Sequence, residues 1–325
     1  MNKNLLITGC AGFIGSHTVM EAVSSGYVVF GIDNLERTYD PSLKDIRVKE
    51  LGKLKNFEFI HQDINDKYLI NKIIDEKKID CVINLAAKAG VRKSVLHPYE
   101  YYQTNLLNTL NILEILKANK NIKLIQASTS SVYGNTEGKF NESNTSINQI
   151  SPYASSKKSV EDLCYVYSQI HGIRTTILRF FTVYGPFGRP DMSIFRFIHW
   201  IYEGKTVKIN GDGDQKRDFT YVTDVVKGIL NSTKSEWEYE IINIGSDNPY
   251  SINYVIDLIE NYFGMESKKF FGPRDPSDIG STQASIDKAK ILLNWSPDTS
   301  LKDGIINTCK WYEENNYWTK NLEFS

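Results

Sequence analysis

A phenol and an ammonium stand four residues apart in Ser151-Pro152-Tyr153-Ala154-Ser155-Ser156-Lys157, in what the sequence predicts to be the first turns of a helix. Ser151 suits the N-cap and Pro152 the first helical position, and Val160, Leu163, Cys164 and Tyr167 recur behind them at helical spacing. Tyr153 and Lys157 therefore share one face. A tyrosine titrates near pH ~10 in water, so it works as an acid or base at neutral pH only where a fixed positive charge lowers its pKa. Lys157 is placed to supply that charge. Taken alone, Y-x-x-x-K more often marks a partly exposed tyrosine beside a solvated lysine, and its meaning depends on what surrounds it.

The elements that must position the pair follow from the chain's periodicity. Its first half alternates short apolar runs with longer amphipathic segments, the pattern of a parallel sheet with helices on both faces. Strands are predicted over Asn4 to Thr8, Val28 to Asp33, Phe57 to His61, Cys81 to Leu85, Lys123 to Ala127 and Thr175 to Phe180, with Ile241 to Ile244 returning late. Helices are predicted over Phe13 to Ser25, Tyr68 to Lys77, Tyr99 to Lys117 and Pro152 to His171. The run Cys81 to Leu85 is apolar on both faces, as a strand covered on both sides should be, with Asn84 the exception. Beyond Phe181 the texture turns to loops rich in Gly, Pro and Asp, interrupted by helical patterns at Met192 to Tyr202, Thr223 to Thr233, Ile252 to Phe263 and Leu301 to Glu313.

The fold class is thus α/β: a Rossmann-type doubly wound parallel sheet with a smaller α/β lobe at the C-terminus. The nucleotide-binding domain is expected over 1–180, with the chain returning to it at about 219–245, and the substrate lobe over 181–218 and 246–325. Such a lobe closes over the carboxyl edge of the sheet, where doubly wound folds bind ligands.

A chain of 325 residues, 41% of them hydrophobic, is long enough for a substantial core. Its net charge of −1 and lack of a long basic run argue against a nucleic-acid partner. Cys10, Cys81, Cys164 and Cys309 lie far apart with no C-x-x-C pair, which fits reduced thiols of the cytosol better than a disulfide frame or a zinc site. No apolar run reaches membrane-spanning length, and the chain enters a strand pattern at once, without a signal peptide. A cytoplasmic protein with no metal and no membrane partner is expected.

Thr8-Gly9-Cys10-Ala11-Gly12-Phe13-Ile14-Gly15 follows the first strand and opens a helix. Glycines there permit a tight turn, close approach of backbone to a pyrophosphate and helix–sheet packing, and the helix N-terminus attracts the anion. The spacing is G-x-x-G-x-x-G, and a structural turn is the alternative use. Asp33, ending the second strand, stands where an acid accepts the adenosine ribose hydroxyls and repels a 2′-phosphate; Asn34 follows, not Arg. NAD is therefore favoured over NADP. Asp63, after the third strand, serves equally well as acceptor for the adenine amino group or as a turn residue before Asn65.

The glycine loop, Asp33, the run Ala127-Ser128-Thr129-Ser130-Ser131-Val132-Tyr133-Gly134 and the Tyr153/Lys157 pair together resemble the extended short-chain dehydrogenase/reductase family, nucleotide-sugar branch. Ala86-Ala87-Lys88-Ala89-Gly90-Val91-Arg92, Arg179-Phe180-Phe181-Thr182-Val183-Tyr184-Gly185-Pro186, Gly188-Arg189-Pro190-Asp191-Met192 and Arg217-Asp218-Phe219-Thr220-Tyr221 are similar to the UDP-glucuronate 4-epimerases among them. The resemblance implies a tightly bound NAD recycled within each turnover, Tyr153 as catalytic acid/base, Lys157 as ribose anchor and pKa modulator, and Thr129 as the partner of the sugar O4. It also implies cofactor contacts from Gly9, Gly12, Phe13, Ile14, Gly15, Asn34, Asp63, Ile64, Leu85, Ala86, Ala87, Lys88 and Asn105, and a homodimer built on a four-helix bundle from Tyr99 to Lys117 and Pro152 to His171.

A 4-keto sugar carrying a carboxylate on C5 is a β-keto acid, and an epimerase must keep it from losing CO2. Sibling decarboxylases carry an acid inside the T-S-x-V-Y-G run, and 4,6-dehydratases an Asp-Glu pair; here the positions are Ser130 and Ser131. Hydroxyls can donate to a carboxylate and hold it, where a Glu would repel it. Thr182, where galactose epimerases and dehydratases carry Asn, adds another hydroxyl. These residues speak for C4 epimerisation of a UDP-uronate, UDP-glucuronate to UDP-galacturonate; UDP-glucuronate decarboxylation, 4-epimerisation of UDP-N-acetylglucosaminuronate or of a neutral UDP-hexose, and a non-enzymatic dinucleotide-sensing module are the competing readings. Arg92 and Arg189 are candidate anion contacts, Arg189 the better. Arg217 is read as the diphosphate contact, with Asp218 as a possible ion-pair partner. In Pro273-Arg274-Asp275-Pro276-Ser277-Asp278-Ile279, Asp278 fits the uridine ribose while Arg274 stands one position off the family pattern.

Overall fold

The computed structural model describes residues 3–144, 148–274 and 280–324. Strand β1 (Asn4–Thr8) leads through the glycine loop into α1 (Phe13–Ser24), and β2 (Val28–Asp33), α2 (Ser42–Leu51), β3 (Phe57–His61), α3 (Lys67–Glu76) and β4 (Cys81–Asn84) follow. Helices α4 (Val91–Leu96) and α5 (Pro98–Tyr101), a wide π-helical turn at Tyr102–Leu107 and α6 (Asn108–Leu116) occupy the stretch expected to be one helix. Next come β5 (Lys123–Thr129), a 3-10 turn at Ser130–Tyr133, α7 (Pro152–His171) and β6 (Thr175–Phe180).

The second half contains β7 (Thr182–Tyr184), α8 (Ser193–Tyr202), β8 (Val207–Asn210), β9 (Lys216–Tyr221), α9 (Val222–Ser232), β10 (Tyr239–Ile244) and β11 (Pro249–Ser251). It ends with α10 (Ile252–Phe263), β12 (Lys269–Gly272), α11 (Asp287–Leu293), α12 (Leu301–Glu314) and α13 (Asn316–Thr319).

Seven parallel strands form the main sheet in the order β10-β6-β5-β4-β1-β2-β3. The order reverses between β1 and β4, and a crevice opens there at the carboxyl ends. The inner strands β1, β2, β4, β5 and β6 are buried along nearly their whole length because both faces are covered, while the edge strand β3 exposes Glu58 and His61. Val19 and Ala22 of α1 and Val225 and Ile229 of α9 pack on one side; Ile70 and Ile74 of α3, Ile112 and Leu116 of α6 and Val160 and Cys164 of α7 pack on the other. Each Val, Leu or Ile among them contributes about 1.5–3 kcal/mol relative to exposure. A third core joins α8, α10 and α12 through Phe195, Ile198, Val255, Ile259, Ile305 and Tyr312, beside a three-stranded sheet β11-β9-β7 and the pair β12-β8. Residues 284–295, expected in the smaller lobe, pack instead on the main sheet: Ala284, Ile286, Ala289, Leu293 and Trp295 lie in its core with β10 and α9.

Helix α2 escaped the periodicity because its buried face is cationic. Leu43, Lys44, Arg47 and Leu51 point inward while Ile46 and Val48 do not, so the segment shows no single apolar stripe. Lys44 meets Asp33 at 3.1 Å. Arg47 donates to Ala11 O at 3.0 Å, to the Tyr39 hydroxyl at 2.5 Å and to Phe187 O at 2.6 Å. It thereby ties the glycine loop to the loop that carries Arg189. No helix among the described residues is long and apolar enough to cross a membrane.

Candidate active site

A cleft of about 430 Å3 lies at the carboxyl edge of the sheet, bordered by Gly9, Gly12 to Gly15, Asp33, Asn34, Asp63, Ile64, Leu85 to Lys88, Tyr153, Lys157 and Arg189. One end is shaped for a dinucleotide. Gly9 has φ +67°, and a Cβ on it would lie 2.8 Å from Ala86 N; a Cβ on Gly15 would lie 2.1 Å from Gly9 O. Both positions therefore need glycine. No side chain caps the N-terminus of α1, which leaves its first N–H groups available to an anion. Asp33 accepts from Ala11 N at 3.1 Å, Leu35 N at 2.8 Å and Lys44 Nζ at 3.1 Å, and so braces the loop while facing the cleft. Asp63 closes the turn expected of it, accepting from Asn65 N at 2.8 Å, and also accepts from Asn34 Nδ2 at 2.8 Å. The residues present fit NAD: a phosphate cradle, an acid at the ribose position and an apolar floor at Ile64 and Leu85.

At the other end, Ser151 Oγ accepts from Ala154 N at 3.2 Å and Pro152 opens α7, so Tyr153 and Lys157 enter the cleft from the first two turns. Burial raises the Tyr153 pKa, and it is opposed by a hydrogen-bonding interaction with the Thr129 hydroxyl and by the positive field of Arg189. Arg189 is thus a cation acting on the phenol, a part not assigned to it from the sequence. Lys157 is itself pushed down to about 8 by burial, against which the Glu161 carboxylate one turn away favours its charge.

Thr129 Oγ1 accepts from Ser131 N at 3.1 Å and lies 3.2 Å from Ser131 Oγ, so the 3-10 turn gathers Thr129, Ser130 and Ser131. Thr129 pairs with Phe180 across β5 and β6, which brings Thr182, two residues further on, to the same end of the sheet. Arg189 borders the cleft and a small pocket with Thr182. Its guanidinium grips Asp191 at both ends (2.9 and 2.7 Å) and lies over the Tyr39 ring at 5.4 Å. Burial works against the Arg189 charge, but Asp191 restores it and raises the pKa.

Other expected residues stand elsewhere. Asn105 does not border the cleft: its amide accepts from Lys88 N at 2.8 Å and donates to Lys88 O at 3.1 Å and Ser156 Oγ at 3.0 Å. The π turn lets it hold the Lys88 segment to α7, and such turns recur at functional sites. Arg92 reaches across to β8: with the Asn210 amide oriented to satisfy both its atoms, its oxygen accepts from both guanidinium nitrogens, at 2.6 and 2.8 Å. Arg217 Nη1 donates to Lys216 O at 2.8 Å and Gly280 O at 3.3 Å, outside the cleft lining. Asp218 is fully buried and accepts from Ser246 N, Asp247 N and Ala284 N at 2.6, 3.0 and 2.9 Å, a loop-fastening role in place of an ion pair. Asp278 lies outside the described residues. All four cysteines are free and buried.

Sequence reasoning missed Lys44, Arg47, Asp191 and Glu161. Only Glu161 carried a signal, an acid at helical spacing from Lys157 on an otherwise apolar stripe.

A doubly wound sheet with this glycine loop, and a Tyr/Lys/Thr set at its carboxyl edge, defines an extended short-chain dehydrogenase/reductase. The chain belongs to the family described as GDP-mannose 4,6 dehydratase, whose sequence profile matches residues 6–308. It is 44% identical over 95% of its length, and 96% of the relative's, to a UDP-glucuronate 4-epimerase of Thermodesulfobacterium geofontis. It is 36% identical to UDP-glucuronate 4-epimerase 1 of Arabidopsis thaliana, over 95% of this chain and 76% of the plant protein. A UDP-glucuronic acid 4-epimerase from Bacillus cereus, solved in complex with UDP-glucuronic acid and NAD, superposes with a TM-score of 0.91 at 38% identity, covering 96% of this chain and 99% of that one.

Proposed function

We propose that this chain is an NAD-dependent epimerase that inverts C4 of a UDP-uronic acid, interconverting UDP-glucuronate and UDP-galacturonate without loss of CO2. The observation that carries the reading is the meeting of the Tyr153 phenol with the Thr129 hydroxyl, in the field of Arg189, at the edge of a dinucleotide cleft. Bound NAD supplies the hydride acceptor, and in its reduced form the donor, for C4. Tyr153 takes the C4 hydroxyl proton and later returns it, a step that needs a phenol held well below its buried pKa. Arg189 favours that phenolate, and the Lys157 ammonium, one turn on along α7, adds to it. Thr129 fixes O4 and relays the proton.

After oxidation the C5 carboxylate must stay near the plane of the ketone, because a perpendicular C–C bond departs as CO2. Ser130, Ser131 and Thr182 donate hydrogen bonds that hold it, and Arg189 supplies a fork-shaped cation once its grip on Asp191 is exchanged for the substrate. Decarboxylation is the second reading, disfavoured by the absence of an acid at Ser130 and Ser131. We assign cofactor binding to 1–180 with 219–245, and now also 284–295, and substrate binding to the remainder. The exposed Leu107, Tyr165, Val166 and Ile170 support a homodimer through the helices expected to form the bundle. A cytoplasmic location accords with four free thiols.

The test is purified protein with UDP-glucuronate and no added NAD, followed by NMR at C4 and by CO2 release. UDP-galacturonate as product supports the proposal. UDP-pentose as main product, or no turnover, defeats it.

A further inference from the structure

Directly beneath the Tyr153/Lys157 pair lies a second cluster, to which no catalytic step has been given. Glu161 sits one turn after Lys157 on the same face of α7 and is 1% exposed. Arg179 of β6 holds its carboxylate with two parallel bonds, Nε to Oε1 at 2.9 Å and Nη2 to Oε2 at 2.7 Å. Ser128 of β5 donates to the same Oε1 at 2.5 Å, and Tyr239 of β10 donates to the Glu161 carbonyl at 3.1 Å. The Arg179 guanidinium lies 4.6 Å from the centre of the Tyr133 ring, at the end of the turn that carries Ser130 and Ser131.

Stability alone is a poor account of such a group. A buried ion pair often contributes nothing relative to well-packed apolar residues of the same volume, because both charges must be stripped of water. Its geometry has a better explanation. Ser128 is the neighbour of Thr129, and Arg179 lies three residues before Thr182. One ion pair thus joins α7, the end of β5, the 3-10 turn and the end of β6, the segments that carry Tyr153, Lys157, Thr129, Ser130 and Ser131 and lead on to Thr182.

We infer that the buried Glu161–Arg179 pair is the positioning element of the catalytic centre: it sets α7 against the ends of β5 and β6 and keeps a negative charge one turn below the Lys157 ammonium. The inference rests on the proposed acid/base role of Tyr153 and Lys157. The charged and titratable groups around Lys157 are Tyr153, Glu161 and Cys164 on α7, Arg179 from β6 and Tyr239 from β10, with Tyr101 and Arg189 beyond the phenol. Glu161 is the anion among them that favours the ammonium against burial, so its loss moves the Lys157 titration to lower pH.

The test is the double variant Glu161→Gln/Arg179→Met in the holoenzyme, which removes both charges and leaves no unpaired ion. Expected are unchanged NAD content, KM within ~3-fold, kcat lower by ~30-fold or more, and an alkaline limb of the kcat–pH profile about one unit lower. NMR titration of the Lys157 side chain, assigned by its loss in Lys157→Met, is expected to move in the same direction. A kcat within ~3-fold of wild type with an unmoved limb assigns the pair to structure alone and overturns the inference. Should the double variant fail to fold, Ser128→Ala removes only the bond at 2.5 Å; kcat ~5-fold lower at constant KM supports positioning, and wild-type kcat overturns it. Tyr153→Phe in parallel separates the two ideas, since its retained activity defeats the acid/base reading itself.

Discussion

Replacing Arg47 by methionine probes how the two parts of the molecule are held around the cofactor loop. Arg47 is 2% exposed, and its two terminal nitrogens serve Ala11 O, the Tyr39 hydroxyl and Phe187 O at 3.0, 2.5 and 2.6 Å. Methionine fills the volume and donates nothing. Three acceptors lose their partner; charge-assisted bonds contribute roughly 1.5–3 kcal/mol each, so the gross loss is about 4.5–9 kcal/mol. The guanidinium no longer has to be desolvated, which returns several kcal/mol, and the net destabilisation should be about 2–3 kcal/mol. Ala11 lies between Gly9 and Gly12, so the loop should loosen as well and NAD affinity fall by ~10-fold, equivalent to about 1.4 kcal/mol. Urea denaturation measures the first quantity, calorimetric titration of NAD the second, and hydrogen exchange at residues 11–14 locates the effect. A loss under ~1 kcal/mol with wild-type NAD affinity would refute the clamp. The signature expected of it is loss of both, with Arg47→Lys intermediate because one ammonium cannot span all three acceptors.

Three further outcomes are expected. Tyr153→Phe should keep its bound NAD and lose turnover by ~10²-fold or more, read by NMR at C4; retained turnover removes the phenol from its role. Lys157→Met tests the buried ammonium through stability. Its folded pKa of about 8 lies below the ordinary lysine value. Between the two the unfolded chain holds a proton that the folded one has lost, so wild-type stability rises with pH across that window. The variant should therefore melt higher than wild type at pH 7, by a margin that shrinks toward pH 10, and a pH-independent margin would contradict the assignment. Ser131→Glu should raise CO2 release relative to C4 inversion; an unchanged product ratio would show that the hydroxyls do not hold the carboxylate.

What was legible in the sequence was what local periodicity and local chemistry specify. The strands Asn4–Thr8, Val28–Asp33, Phe57–His61 and Thr175–Phe180 and the helix Pro152–His171 stand where the pattern placed them, because short apolar runs, buried in the inner strands and half-buried in the edge strand Phe57–His61, and an amphipathic helix with a Ser-Pro start declare themselves without their neighbours. The glycine loop was legible as a spacing that follows one strand and opens a helix; Gly15 is dictated by backbone within a few residues, while Gly9 answers to Ala86, beyond the end of β4. Helix α2 was not, since two of its four inward residues are Lys44 and Arg47, whose burial makes sense only once Asp33, Ala11 and Phe187 are beside them. Residues 284–295, where no element was predicted, went to the smaller lobe with the chain around them, and only the packing of Ala284, Ile286, Ala289, Leu293 and Trp295 joins them to the main sheet.

The sequence by itself determined that a tyrosine and a lysine share a helix face at the mouth of a dinucleotide fold, and that hydroxyls stand where related enzymes carry acids. Only the tertiary structure decided which charges act on them. Arg189 arrives beside Tyr153 from 36 residues further along the chain and Arg179 reaches Glu161 from another strand, while burial turns Lys157 from a surface ammonium into one that titrates near 8. Electrostatic influence depends on distance and on exclusion of water, and neither is a property of spacing along the chain.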